Sequence, residues 1–169
     1  NTSATNASFD VQACCATNYP GIIPLTNGIP FIVPTSASAF AAPPGPPQQV
    51  FFDFLISNAV SGVLFELYNL SGDADLVLQQ AVPPTMAPYF ESSFFPGRYP
   101  EQIVLRTDPA KPANVTVADL RGHWYLGVYN NEDVPVGYTI RAVTTDANGL
   151  LPSGQPLRVA ITPLPPPHG

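Results

Sequence analysis

Proline is the residue that most limits how this chain can fold. It occurs 22 times among 169 residues, but residues 48–82, 113–134 and 136–151 contain none. Because proline has no backbone N–H and breaks a helix from within, this density excludes long helices and leaves the proline-free stretches for central β-strands. Those stretches show the alternation of apolar and polar residues that is typical of half-buried strands. The sequence therefore predicts an all-β protein.

The alternation predicts seven strands, at residues 50–57, 62–69, 74–80, 101–107, 114–120, 123–130 and 138–144. The inward-facing positions along four of them are Phe52, Phe54, Ile56, Val63, Phe65, Leu67, Trp124, Leu126, Val128, Tyr138, Ile140 and Ala142. Seven short strands separated by turns are typical of an antiparallel β-sandwich or jelly roll. The outer faces are apolar too, which predicts that a further element covers them; the residues concerned are Phe51, Leu55, Leu64 and Tyr68.

Composition narrows the range of partners. A net charge of −6, with only six lysine and arginine residues in total, lacks the positive surface that nucleic-acid binding needs. No apolar run approaches 18 residues, so no membrane span is expected. The chain begins at Asn1 with no apolar leader, which suits a mature secreted protein or an excised fragment. We expect a secreted or cell-surface protein.

Six segments of the sequence resemble the bacterial pre-peptidase C-terminal domain, a small jelly-roll module found beside many secreted enzymes. They lie at residues 24–30, 50–54, 71–78, 96–103, 122–130 and 138–140. The turn from Gly72 to Leu76 and the strand from Trp124 to Tyr129 are the more specific of them. The resemblance covers about residues 25–144 and implies a fold rather than an activity. It leaves residues 1–24 and 145–169 as additional terminal arms.

Both arms contain a strand pattern with one apolar face. In residues 8–16 that face consists of Phe9, Val11, Ala13 and Cys15. In the C-terminal arm it consists of Leu157, Val159 and Ile161. Each pattern is tethered by flexible or proline-rich chain, which would let it reach a neighbouring molecule.

An arm that pairs with the open sheet edge of the next copy would cover that edge and satisfy its own backbone hydrogen bonds. Repetition of such a head-to-tail contact produces a filament. The leading hypothesis is therefore a structural subunit of an extracellular filament, with residues 8–16 as the donor strand and the C-terminal arm as the second choice. The alternative is an accessory module of a secreted protein that binds carbohydrate or a surface, and an adhesin repeat without strand exchange is a third interpretation.

No group of residues has the spacing of a catalytic site. Of the two histidines, one lies in the C-terminal tail, so a catalytic triad or zinc site would depend on His123. Neither a Gly-x-Ser-x-Gly motif nor a phosphate-binding loop is present. The carboxylates Glu66, Glu91, Glu101 and Glu132 are not spaced as a glycosidase pair would require. A non-enzymatic protein without a cofactor is predicted.

Two acidic residues, Asp73 and Asp75, lie in a glycine-containing turn before a strand. Their carboxylates could bind Ca²⁺ through oxygen, although the further acids of an EF-hand are missing. The alternative is that they accept hydrogen bonds from the turn itself.

Aromatic side chains suggest two binding surfaces. His123, Tyr125 and Tyr129 alternate on the strand face opposite Trp124, with Arg141 on the corresponding face of a later strand, as in a sugar-binding sheet. The alternative is that these residues cover a second layer or a neighbouring chain. Residues 89–99 contain five further aromatics, more than a solvated loop normally carries, and are predicted to dock onto a partner.

Two kinds of covalent modification are also suggested by the sequence. Cys14 and Cys15 are the only cysteines, and they are free, joined as a vicinal ring or bonded to another molecule. Four Asn-x-Ser/Thr sequons are candidate glycan sites; they begin at Asn1, Asn6, Asn69 and Asn114.

Overall fold

A computed structural model describes residues 21–35, 49–85 and 88–145, and within them the chain forms ten strands. The strands are β1 (Ile22–Pro24), β2 (Phe31–Val33), β3 (Gln49–Ile56), β4 (Gly62–Tyr68), β5 (Ala74–Gln80), β6 (Glu91–Ser93), β7 (Glu101–Arg106), β8 (Val115–Thr116), β9 (Gly122–Asn130) and β10 (Tyr138–Thr145). No helix long and apolar enough to cross a membrane occurs in these ranges.

The strands form two five-stranded sheets. One sheet, sheet A, has the order β1-β3-β9-β5-β6, and the other, sheet B, has the order β2-β10-β4-β7-β8. Most neighbours are antiparallel, but β1 runs parallel to β3 and β8 runs parallel to β7. The expected β-sandwich is confirmed, with the correction that each sheet has one parallel pair at its edge.

The core lies between the sheets and contains every inward-facing residue predicted from the alternation. Phe65 of β4 lies near its centre. Its ring packs edge-on to Phe54 at a centroid distance of 6.0 Å and lies 6.4 Å from Trp124. The indole N–H of Trp124 donates to the carbonyl of Leu120 over 2.7 Å, so the one polar atom of this ring is paired. Burial of large aromatic surface is the main stabilising contribution in such a sandwich.

The sequence patterns missed three strands and overestimated one. The missed strands are β1, β2 and β6. Each is only three residues long and lies among prolines, so it is too short to show an alternation of apolar and polar residues. The strand predicted at residues 114–120 is reduced to the two residues of β8, although the N–H groups of Asn114 and Val117 also donate to carbonyls of β7. Leu120, at the end of the predicted strand, is buried and accepts the indole N–H of Trp124.

The outer faces are covered to different degrees. Val143, Leu64 and Val104 lie side by side across three strands of sheet B, and each is at most 3% exposed. Leu55 of sheet A is 54% exposed. The prediction that the apolar outer faces are covered therefore holds for Leu64 and fails for Leu55, while Phe51 and Tyr68 are half-buried.

Candidate functional site

The edge of β10 is closed by a side chain. Beyond the end of β2, the carbonyl of Ala142 accepts the N–H of Gly28 over 2.8 Å. The next edge-facing group, the N–H of Thr144, donates to Oδ1 of Asn27 over 3.0 Å. Nδ2 of Asn27 in turn donates to the Thr144 hydroxyl over 2.8 Å. A strand arriving from outside would find these groups occupied.

The edge of β7 is closed in the same way. The N–H of Val104 donates to Oδ1 of Asn114 over 2.8 Å, and its carbonyl accepts the N–H of Asn114 over 2.9 Å. Two residues earlier, the N–H of Gln102 donates to the hydroxyl of Ser93 over 3.3 Å. Short strands and local caps are the means by which β-proteins prevent edge-to-edge association.

Within the described ranges, the edge of β3 has no pairing partner at Leu55. The carbonyl of Asp53 accepts the N–H of Leu25 over 2.8 Å, so the backbone groups of Asp53 point towards β1. Backbone direction alternates along a strand, and therefore the N–H and C=O of Leu55 point the same way. β1 ends at Pro24, opposite Asp53, and no residue of the described ranges pairs with Leu55 on this side. This position, which we call the open edge, offers one N–H and one C=O to an added strand.

A second exposed feature is the aromatic loop, which we define as residues 89–99. Four of its rings are between 37% and 45% exposed: Tyr89, Phe90, Phe94 and Tyr99. The loop is nevertheless anchored, because Phe90 packs edge-on to Trp124 at 5.5 Å and Tyr89 packs edge-on to Phe94 at 5.8 Å. Phe90 is therefore held against the core, Tyr89 and Phe94 pack on each other, and all four rings remain partly in solvent.

Glu101 anchors the other end of the aromatic loop. The side chain is fully buried, and its carboxylate accepts hydrogen bonds from the Ser93 hydroxyl and from the N–H of Phe95, the latter over 2.9 Å. Burial raises the pKa of Glu101 to about 7, and the two hydrogen bonds oppose that shift. The negative charges of Asp75 and Asp73 raise it further.

The acidic turn before β5 is held by its neighbours. Oδ2 of Asp75 accepts the side-chain amide of Asn131 over 2.7 Å, and the N–H of Asp73 donates to Glu132 over 2.7 Å. Burial raises the pKa of Asp75 despite that hydrogen bond, and Oδ1 of Asp73 is buried with no partner in the described ranges. Around this turn the described residues gather no group of three or more metal-ligating side chains. Calcium binding by Asp73 and Asp75 stays a prediction.

The prediction that Tyr125 and Tyr129 lie on an exposed sugar-binding face is wrong. Tyr125 is 1% exposed and Tyr129 is fully buried, because the loop after β5 crosses the outer face of sheet A and Pro84 lies against Gly127 between them. Burial also raises the pKa of Tyr129. The other two residues predicted for this face, His123 and Arg141, are partly exposed but lie on different sheets. His123 bonds to Asp53 on sheet A over 2.9 Å, whereas Arg141 lies on sheet B and pairs with Glu66.

Several predicted residues lie outside the described ranges. They are Asn1, Asn6, Phe9, Val11, Ala13, Cys14, Cys15, Leu157, Val159 and Ile161. The other two sequons lie within the described ranges. Asn69 is exposed in the turn between β4 and β5, with a φ of 55°, and Asn114 is exposed beside β8. The open edge could not be found from sequence, because it depends on where β1 stops relative to β3.

No protein-family model matches the chain, and no curated protein matches it. Among solved structures, the pre-peptidase C-terminal domain of collagenase from Bacillus anthracis is similar to it. The identity is 14%, the match covers 72% of this chain and 92% of that chain, and the TM-score is 0.42. That domain belongs to the family that the sequence segments resemble.

Proposed function

We propose that this chain is a non-enzymatic structural subunit of an extracellular filament or surface appendage, polymerising by addition of a terminal arm to the sheet edge of a neighbouring copy. The observation that supports the proposal is the open edge. The edges of β10 and β7 are capped by Asn27, Asn114 and Ser93, whereas the N–H and C=O of Leu55 have no partner in the described ranges. An edge left open beside edges that are capped is a site where another strand can pair.

An incoming strand would also bury apolar surface. The side chain of Leu55 is 54% exposed, while Phe54 and Ile56 on either side of it point into the core. A donor with one apolar face can place that face beside the Leu55 side chain as it pairs, because side chains alternate along a strand. Residues 8–16 have such a face in Phe9, Val11 and Ala13.

The proposal is tested by matched substitutions in the donor arm and at the acceptor. Val11→Asp places a charge on the apolar face of the arm, and Gln12→Asp places the same charge on its polar face. Leu55→Pro removes the edge-facing N–H without removing a hydrogen bond inside the sheet, and Leu55→Ala keeps that N–H. We expect Val11→Asp and Leu55→Pro to abolish filaments in negative-stain electron microscopy, while the two controls still form them.

The second-choice arm is tested by Val159→Asp in the same filament assay. Circular dichroism of each variant establishes that it is folded. Normal filaments from both Val11→Asp and Leu55→Pro would contradict the assignment of donor and acceptor. A wild-type chain that stays monomeric by light scattering at high concentration would contradict polymerisation itself.

A second candidate function is an accessory module that binds carbohydrate or another surface, and the exposed rings of the aromatic loop favour it. It requires a monomer, so light scattering separates the two candidates. With Tyr125 and Tyr129 buried, the aromatic loop is the surface on which such a module would bind.

A further inference from the structure

The aromatic loop has the chemistry of a surface for apolar rings. Its exposed rings are those of Tyr89, Phe90, Phe94 and Tyr99. Pro96 lies within the loop and Pro88 and Pro100 flank it, and none of these residues has a backbone N–H. The buried polar groups beneath the loop are already engaged, since Glu101 accepts hydrogen bonds from Ser93 and Phe95. A sugar also needs polar groups around its ring, and the loop has those of Glu91, Ser92, Arg98 and its two tyrosines. A sugar is therefore the competing ligand in the test below.

A segment in the polyproline II conformation needs fewer hydrogen-bonding groups than a sugar does. Its proline rings pack onto aromatic side chains, and its backbone carbonyls, which form no internal hydrogen bonds, accept from a few donors. The hydroxyls of Tyr89 and Tyr99 can supply such donors. The loop has one acidic and one basic residue, Glu91 and Arg98, so it selects a ligand of low charge.

The chain itself carries a segment of this kind, outside the described ranges. Residues 163–167 read Pro-Leu-Pro-Pro-Pro and follow the C-terminal arm. We propose that the aromatic loop of one copy binds residues 163–167 of a second copy. The inference rests on the proposed self-assembly, to which it adds a second contact between copies.

Two sources can supply this segment, a second copy and the chain's own tail. β10 ends at Thr145, which lies opposite Gly62, and Gly62 lies opposite Arg106 at the end of β7. The aromatic loop joins β7 at its other end, at Glu101. The tail therefore leaves sheet B roughly 17 Å from the loop, at about 3.3 Å per residue of β7. The 17 residues between Thr145 and Pro163 are long enough to span that distance within one copy. The contact is placed between copies because of the self-assembly proposed above, and the chain's own tail is the competing source in the test.

The test is a titration of the full chain with a fluorescently labelled peptide of residues 161–169, followed by fluorescence anisotropy. We expect saturable binding that Phe94→Ala and Tyr99→Ala each weaken about fivefold or more. Ile32→Ala is the matched control, because Ile32 is 70% exposed but lies on β2, and it should leave binding unchanged. A peptide with alanine at its four proline positions should not bind.

Three results would overturn the inference. The first is the absence of peptide binding, including the case in which a neutral oligosaccharide binds the loop instead. The second is binding that Phe94→Ala and Tyr99→Ala leave unchanged. The third concerns which copy supplies the tail. A Pro165→Ala/Pro166→Ala/Pro167→Ala chain has lost its own proline segment and cannot compete with the peptide. If this chain binds the peptide more tightly than the wild type does at every dilution, the loop binds the tail of its own copy.

The peptide assay separates this inference from the proposed function. Val11→Asp should lose filaments but bind the peptide with wild-type affinity, because the arm and the loop are different sites. Filaments that form normally in a chain that does not bind the peptide would overturn the tail contact and leave strand addition standing.

Discussion

At the scale of single residues, Glu101 is the side chain whose chemistry departs most from what its sequence position suggests. It reads as the first residue of an ordinary strand, yet it is fully buried and its pKa is raised to about 7. Because the pKa in the folded state exceeds the ordinary value of 4.5, protonation favours the folded state. This contribution to stability is fully present below about pH 4.5 and is lost as the pH rises through 7.

We therefore expect the wild-type chain to lose about 1 to 2 kcal/mol of unfolding free energy between pH 4.5 and 8, with solvent screening taken into account. Glu101→Gln should remove most of this dependence, because the amide cannot ionise. Urea unfolding at a series of pH values measures the effect, and Glu91→Gln, at a half-buried position of the same loop, is the control. A wild-type unfolding free energy that does not change over this pH range would contradict the assignment.

At the scale of elements, the sheet edges depend on single side chains more than on strand length. Asn27 both accepts from the N–H of Thr144 and donates to its hydroxyl. Asn27→Ala should lower the unfolding free energy by about 1 to 2 kcal/mol, because it removes two hydrogen bonds and leaves an edge N–H without its partner.

Thr144→Val is the comparison, since it removes only the bond between side chains and should cost less. Light scattering on the same samples measures association, and we expect Asn27→Ala to associate more than Thr144→Val because a second edge is opened. Equal unfolding free energies for the two variants would show that the backbone cap contributes nothing.

The long strands could be predicted from sequence, but their edges could not. Alternation located Phe52, Phe65 and Trp124 in the core, because a period of two is a local property of the chain. The same alternation placed Tyr125 and Tyr129 correctly on the face opposite Trp124. It could not tell that this face is covered, because Pro84 arrives there from another part of the chain. The open edge at Leu55 likewise depends on the pairing of β1 with β3.

At the scale of the whole molecule, the two proposed contacts lie on opposite sides of sheet A. The open edge is on β3 beside β1, and the aromatic loop includes β6 at the other end of the order β1-β3-β9-β5-β6. In each proposed contact a terminal segment of one copy binds a different surface of the next, and such a head-to-tail contact repeats from copy to copy unless its rotation closes a ring. An open chain of subunits is the assembly that we expect.

Two of the four sequons lie within the described ranges. Asn114 is beside β8, at the end of sheet B opposite β2, and Asn69 is in the turn after β4. We expect both to carry glycans in protein isolated from its natural source, as measured by mass spectrometry of the corresponding peptides. Asn114→Asp keeps an acceptor for Val104 and removes the glycan site, and Thr116→Ala removes the sequon alone. Unmodified Asn69 and Asn114 in that material would contradict the expectation.

The asparagine caps also bear on how such a protein can evolve. An edge that is closed by a whole strand or a helix can be opened only by rebuilding the fold, whereas Asn27 and Asn114 close the parts of β10 and β7 that β2 and β8 leave unpaired. A single codon change at either position would offer a new pairing surface while the core stays intact. Point mutations in proteins related to this one could therefore change which surfaces associate. The architecture of their assemblies would change as a result.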